Sequence, residues 1–134
     1  MKKVLVFGTF DGLHEGHMKF LEQARRHGNY MIGVVTRDSN VVKTKGAGPM
    51  NGERKRLNDV RKHVDLAILG EKKVTYSLIK RLKPDVICIG YDQRPTMTEA
   101  RKILRKIDME GVVLKTMKPY RPRAYKSSIL NKSG

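Results

Sequence analysis

The chain has 134 residues and a net charge of +16, from 29 Lys and Arg against 13 Asp and Glu, with 39% hydrophobic and 6% aromatic residues. That length suits one domain with a single hydrophobic core, built without Trp from Val, Ile, Leu and Met. One cysteine, Cys88, excludes an internal disulfide and a multi-cysteine zinc site, and no apolar run approaches the roughly 18 residues of a membrane span. Lys2-Lys3 leads straight into a short apolar segment, so no signal peptide is expected and the expected location is cytoplasmic. The positive excess favours polyanionic partners such as nucleotides, sugar phosphates or nucleic acid, with a solvated basic surface as the plain alternative.

Lys2 to Gly8 reads as a first strand, continuously apolar as buried parallel strands are. His17 to His27 reads as a helix with Phe20, Leu21 and Ala24 on its inner stripe and Gly28 as its stop. A second strand follows over Tyr30 to Thr36. Arg37 to Asn51, with Gly46, Gly48 and Pro49, reads mostly as a mobile loop. Gly52 to His63 is expected to be helical, Asp65 to Leu69 a third strand, and Thr75 to Leu82 a helix ended before Pro84. Val86 to Ile89 makes a fourth strand, in which Cys88 reads as a small core residue. Thr98 to Met109 is a helix with Thr98 as its expected cap, and Val112 to Thr116 is a fifth strand. The tail from Met117 to Lys126 carries Pro119 and Pro122 and reads as extended, with one short helix over Ser127 to Asn131. Strands alternating with helices imply an α/β fold with a parallel sheet, right-handed crossovers and helices on both faces.

Between the first strand and first helix stands Gly8-Thr9-Phe10-Asp11-Gly12-Leu13-His14-Glu15-Gly16-His17. Such a turn can bring backbone N–H groups and the positive end of a helix to a phosphate. His14 and His17 are three apart, hence neighbours on one helical face, and Gly16 leaves room for a ligand near the backbone. The glycines do not form G-x-G-x-x-G or a G-x-x-x-x-G-K-[ST] loop, which removes dinucleotide oxidoreductase and P-loop readings. His-Glu-Gly-His is not H-E-x-x-H either, and no nearby carboxylate or cysteine offers a third zinc ligand, so no metal ligands are assigned. Asp11 would repel phosphate and is expected to fix the turn by local hydrogen bonds. Glu15 suits a helix N-terminus.

The stretch resembles the GTFD-x-x-H-x-G-H signature of the nucleotidyltransferase superfamily, with each fixed position present at Gly8, Thr9, Phe10, Asp11, His14, Gly16 and His17. The resemblance implies a Rossmann-like five-stranded sheet of order 3-2-1-4-5, with a ligand crevice outside the carboxyl ends of strands one and four. It implies that His14 and His17 stabilise charge on an α-phosphate under in-line attack, as preorganised donors without a covalent enzyme intermediate. Gly8, Thr9, Phe10 and Gly16 would contact the nucleotide, Phe10 also serving as core. Lys43, in the stretch after strand two, is the favoured phosphate-binding lysine over Lys45, and Arg54 is a weaker candidate beside a plain surface role. Gly90-Tyr91-Asp92-Gln93 after strand four places Asp92 in the nucleotide site and is more similar to archaeal FAD synthases than to glycerol-phosphate cytidylyltransferases. Tyr125-Lys126-Ser127-Ser128 resembles the family's C-terminal element, in which Ser127 and Ser128 would meet the triphosphate while Tyr125 stacks on a base or covers the site. The fuller R-[TS]-E-G-I-S-T-T form is absent.

The expected function is therefore nucleotidyl transfer by a single domain over 1–134, whose tail from 117 completes the site. AMP passing from ATP to FMN, with a divalent cation such as Mg²⁺, is favoured. CTP with glycerol 3-phosphate, or ATP with a sugar phosphate such as heptose phosphate, are the alternatives. A basic nucleic-acid-binding domain is the reading from another class, disfavoured because no aromatic-studded basic stripe is present. A homodimer is the assembly implied by the resemblance.

Overall fold

Five apolar runs form one parallel sheet: β1 (Lys3–Gly8), β2 (Tyr30–Val35), β3 (Leu66–Leu69), β4 (Val86–Gly90) and β5 (Val113–Met117). The computed structural model describes residues 1–72, 76–91 and 95–118. The strand order is β3-β2-β1-β4-β5, as expected, with every neighbouring pair parallel. Between the strands run α1 (Glu15–Arg25), α2 (Asp38–Lys45), α3 (Glu53–Arg61), α4 (Ser77–Leu82) and α5 (Met97–Lys106).

Alternation along each strand divides the apolar residues between two cores. Val4 and Val6 of β1, Met31 and Val35 of β2, and Val86 and Cys88 of β4 pack with Leu21 and Ala24 of α1 and Val60 of α3. Leu5, Ile32, Val34, Ile87 and Ile89 face the other way, with Leu78 and Ile79 of α4 and Ala100 and Leu104 of α5. Cys88 is fully buried, and burial pushes its thiol up to about 11, as befits a core residue.

Three local expectations need correction. The stretch expected as mostly loop contains α2, which ends at Gly46 in the left-handed conformation (φ 79°). Only Val41 of this helix is buried, so no apolar stripe announces it. Tertiary bonds hold its start instead: Asp38 N–H donates to Glu53 and Glu53 N–H donates to Asp38, while Arg37 pairs with Glu53 at 3.1 Å. The cap of α5 is Thr96, not Thr98. Its hydroxyl accepts from Glu99 N–H, and the Glu99 carboxylate accepts from Thr96 N–H, a reciprocal box that Thr98, inside the first turn, cannot make. Finally, α1 begins at Glu15 and ends at Arg25, with Arg26 as C-cap. Gly28 serves close approach rather than the helix stop, because a Cβ there would lie 2.5 Å from Val4 and 2.6 Å from the Lys2 carbonyl.

Candidate active site

The turn after β1 is held by long-range bonds. Phe10 (φ 52°) and Gly12 (φ 67°) both take left-handed backbone conformations, costly for Phe10 and free for Gly12. Phe10 stays there because its ring is buried in the α1/α3 core, edge-on to His17 at 5.9 Å between centroids. Gly8 is required beneath it, since a Cβ would come within 2.8 Å of the Phe10 ring. The Gly8 carbonyl accepts from both the N–H and hydroxyl of Thr36, tying the turn to the end of β2. Asp11, expected to bond within its own turn, instead accepts from Met50 N–H at 2.6 Å and from Asn51 N–H and Nδ2 at 2.9 Å. These donors, Met50 N–H foremost, hold its carboxyl below the usual carboxylate range.

The residue that joins these pieces is Arg56, not the weaker phosphate candidate Arg54, which is exposed. Arg56 is fully buried. Its Nε donates to Asn51 O (2.9 Å), Nη1 to Thr9 O and Thr36 O (both 2.8 Å), and Nη2 to the Asp38 carboxylate (2.6 Å). One planar fork thus fastens the turn, the end of β2, the start of α2 and the lead-in to α3. The signal was available in the helical period, because Arg56 shares the inner stripe of α3 with Val60, four residues on.

His14 is the N-cap of α1, outside its first helical turn, and His17 is the third helical residue. The His14 Nδ1 accepts from Gly16 N–H (3.0 Å) and His17 N–H (3.4 Å), while the His17 Nδ1 accepts from His14 N–H (3.3 Å). An Nδ1 engaged as acceptor leaves the ring proton on Nε2. Both imidazoles are therefore oriented as Nε2–H donors. The rings stack at 3.9 Å between centroids, 27° from parallel. Burial, and secondarily the neighbouring His14, pushes the His17 pKa down to about 4, so this ring is neutral at physiological pH. The expected opening above Gly16 is taken by the His14 ring, which would lie 2.8 Å from a Cβ at that position. Two N–H groups at the helix start thus terminate on the His14 imidazole rather than being left for an anion.

Next to the turn, on the α4/α5 face, lies a cavity of about 940 Å³ that Gly8 and Thr9 also line. Its floor is Phe7, Val34, Ile87 and Ile89 of the sheet, and α4 and α5 contribute Leu78, Ile79, Ile103 and Leu104. Thr36, Arg37, Asn40, Thr44 and Lys45 make a polar side near the carboxyl end of β2. Helix α2 brings Lys45 and not Lys43 to this lining, and both lysines are solvent-exposed. Among the described residues no three His, Cys, Asp or Glu side chains gather as a metal site. Asp92, Tyr125, Ser127 and Ser128, and the short helix expected over Ser127 to Asn131, lie outside the described residues.

A family model described as cytidylyltransferase-like matches residues 5–132, nearly the whole chain. The chain belongs to the cytidylyltransferase-like family. It is thus a nucleotidyltransferase. Among its curated relatives is the FAD synthase of Ferroglobus placidus, 41% identical over 116 residues, covering 86% of this chain and 76% of the relative. The FAD synthase of Methanothermobacter thermautotrophicus is 40% identical, covering 90% and 82%. A lipopolysaccharide core biosynthesis protein from Thermoplasma volcanium has the same architecture, with a TM-score of 0.76 and 32% identity over 90% of this chain and 97% of that one. No described helix is long and apolar enough to cross a membrane.

Proposed function

We propose that the protein is an FMN adenylyltransferase, joining ATP and FMN to give FAD and pyrophosphate. The observation that carries this reading is the junction at Gly8 and Thr9. There a large, mostly apolar cavity at the ends of β1, β2 and β4 reaches the first residues of the turn that leads to His14 and His17, whose imidazoles are oriented by backbone amides. A tricyclic flavin needs apolar room, and aliphatic side chains supply it although the chain is poor in aromatics. Archaeal relatives carrying the name FAD synthase support the same acceptor.

In this reading an oxygen of the FMN phosphate attacks the α-phosphorus of ATP in line. The bond from that phosphorus to the β-bridging oxygen breaks, and its electron pair leaves on pyrophosphate. The Nε2–H groups of His14 and His17 donate to α-phosphate oxygens as they become more negative in the transition state. In the neutral His17 ring the proton stands on Nε2 because Nδ1 accepts from His14 N–H. No described side chains gather to hold a metal, so a divalent cation such as Mg²⁺ would arrive with the nucleotide and would supply charge neutralisation at the phosphates. Lys45, in the cavity lining, is assigned to the FMN phosphate, and Lys43, two residues before it in α2, to the triphosphate. Asp92, Tyr125, Ser127 and Ser128 are assigned to the nucleotide, the tail from 117 is assigned to completing the site, and a homodimer is the proposed assembly.

Pyrophosphate release with Mg²⁺, ATP and FMN tests the reading, with CTP as the control nucleotide and FAD identified as product. His17→Ala should lower turnover by at least about a hundredfold, the scale of losing a donor to a developing oxyanion. Wild-type turnover by that variant, or silence of the native protein with FMN, would remove the proposal. The Thermoplasma volcanium likeness makes sugar phosphates the next acceptors to try.

A further inference from the structure

The cavity has two aromatic side chains in its described lining, Phe7 in the sheet floor and Tyr76 at the start of α4. Tyr76 is unlike the rest of the wall. It has a left-handed backbone conformation (φ 63°), unfavourable for a bulky residue, and its ring packs on the α4/α5 core while only half buried. Neighbouring bonds hold this corner. The Glu71 carboxylate accepts from the Ser77 hydroxyl and Leu78 N–H, and the Glu71 carbonyl accepts from Asn40 Nδ2. The corner therefore connects α2, which carries Lys45, to α4, and it presents a tyrosine ring to an otherwise largely aliphatic cavity. Conformational strain at a ligand-facing aromatic is the pattern expected where the ring's direction matters more than local backbone preference.

We propose that Tyr76 is the specificity-determining wall on which the flat ring system of the acceptor lies, an inference that rests on FMN being the acceptor. A ring stacked there selects planar aromatic acceptors over polyol and sugar phosphates, because the latter have no face to offer and would leave the apolar floor in contact with water. The phosphate end then reaches the polar side at Thr9, Thr36 and Lys45, where Thr9 belongs to the turn that leads to the two histidines.

Flavin emission gives a readout that a merely structural role would not move, since a stacked tyrosine quenches it by electron transfer and phenylalanine does not. FMN is titrated into the wild type, Tyr76→Phe and Tyr76→Leu, and KM is measured separately for FMN and ATP. Wild type should quench bound FMN. Tyr76→Phe should bind with similar affinity but restore much of the emission. Tyr76→Leu should raise the FMN KM roughly three- to tenfold, the scale of one lost aromatic contact, with the ATP KM unchanged. Undiminished quenching in Tyr76→Phe, or an unchanged FMN KM in Tyr76→Leu, would overturn the assignment while leaving FMN as acceptor. A wild type that neither binds nor adenylylates FMN would overturn the acceptor reading, and this inference with it.

Discussion

Replacing Arg56 by methionine removes the donors that fasten the active-site turn while keeping much of the side-chain stem. Carbonyls of Thr9, Thr36 and Asn51 lose their Arg56 donor at a position with no solvent exposure. Each buried acceptor left unpaired costs about 1–3 kcal/mol. The Asp38 carboxylate adds less, because its side chain is 44% exposed and can rehydrate while keeping its bond from Glu53 N–H. Some water will reach the carbonyls, so the expected loss is about 4 kcal/mol, within the roughly 3–5 kcal/mol seen when one partner of a buried pair is removed. That is a large part of the roughly 5–15 kcal/mol that holds a domain folded. With a urea dependence of about 2 kcal/mol per molar, the unfolding midpoint should drop by about 2 M. Arg56→Lys should fall between the two, since an ammonium reaches Asp38 and one carbonyl but cannot span the fork. Urea titrations at neutral pH decide it. A loss below about 1 kcal/mol in Arg56→Met would mean that the turn, β2 and α2 hold together without this residue, and the account of the site's assembly would fail.

Three further outcomes follow from the same geometry. In the ligand-free protein, imidazole NMR should find His17 as the neutral Nε2–H form down to about pH 4. Protonation near its ordinary 6.5 would refute the buried-donor reading. Because the folded pKa is the lower one, His17 also makes stability decline as pH falls from 6.5 towards 4. Asp11, Asp38 and Asp65 all have folded pKa values below 3.8, so their stabilisation is present above that value and is lost as pH falls through the lower folded ones. Asp65→Asn removes the carboxylate that meets Met31 N–H and Arg25, and acid-unfolding curves should become shallower below pH 3.8. Gly16→Ala forces the His14 ring aside and should lower kcat at least tenfold. Its stability should change by less than about 1 kcal/mol, because the gain in helix propensity offsets the weakened cap. Unchanged kcat would show that the His14 orientation is immaterial.

Periodicity alone determined the α/β class, all five strands within a residue or two, and the placing of the histidine-bearing turn directly after β1. These are local properties, since a continuous apolar run, a glycine cluster and an amphipathic stretch each bias the chain where they stand. Helix α2 escaped such reading because its one buried residue gives no stripe, and what holds its start comes from Glu53 and Arg56. The partners of Asp11 lie 39 and 40 residues away, so the sequence offered no means to choose them over local ones. His14 and His17 could be named from their spacing, but their tautomers depend on which backbone amides meet each Nδ1. The cavity is more distant still from sequence, for its floor and walls are gathered from β1, β2, β4, α2, α4 and α5. Apolar pattern states which residues leave water, and only the packed chain decides where they fail to meet and so leave room for a substrate.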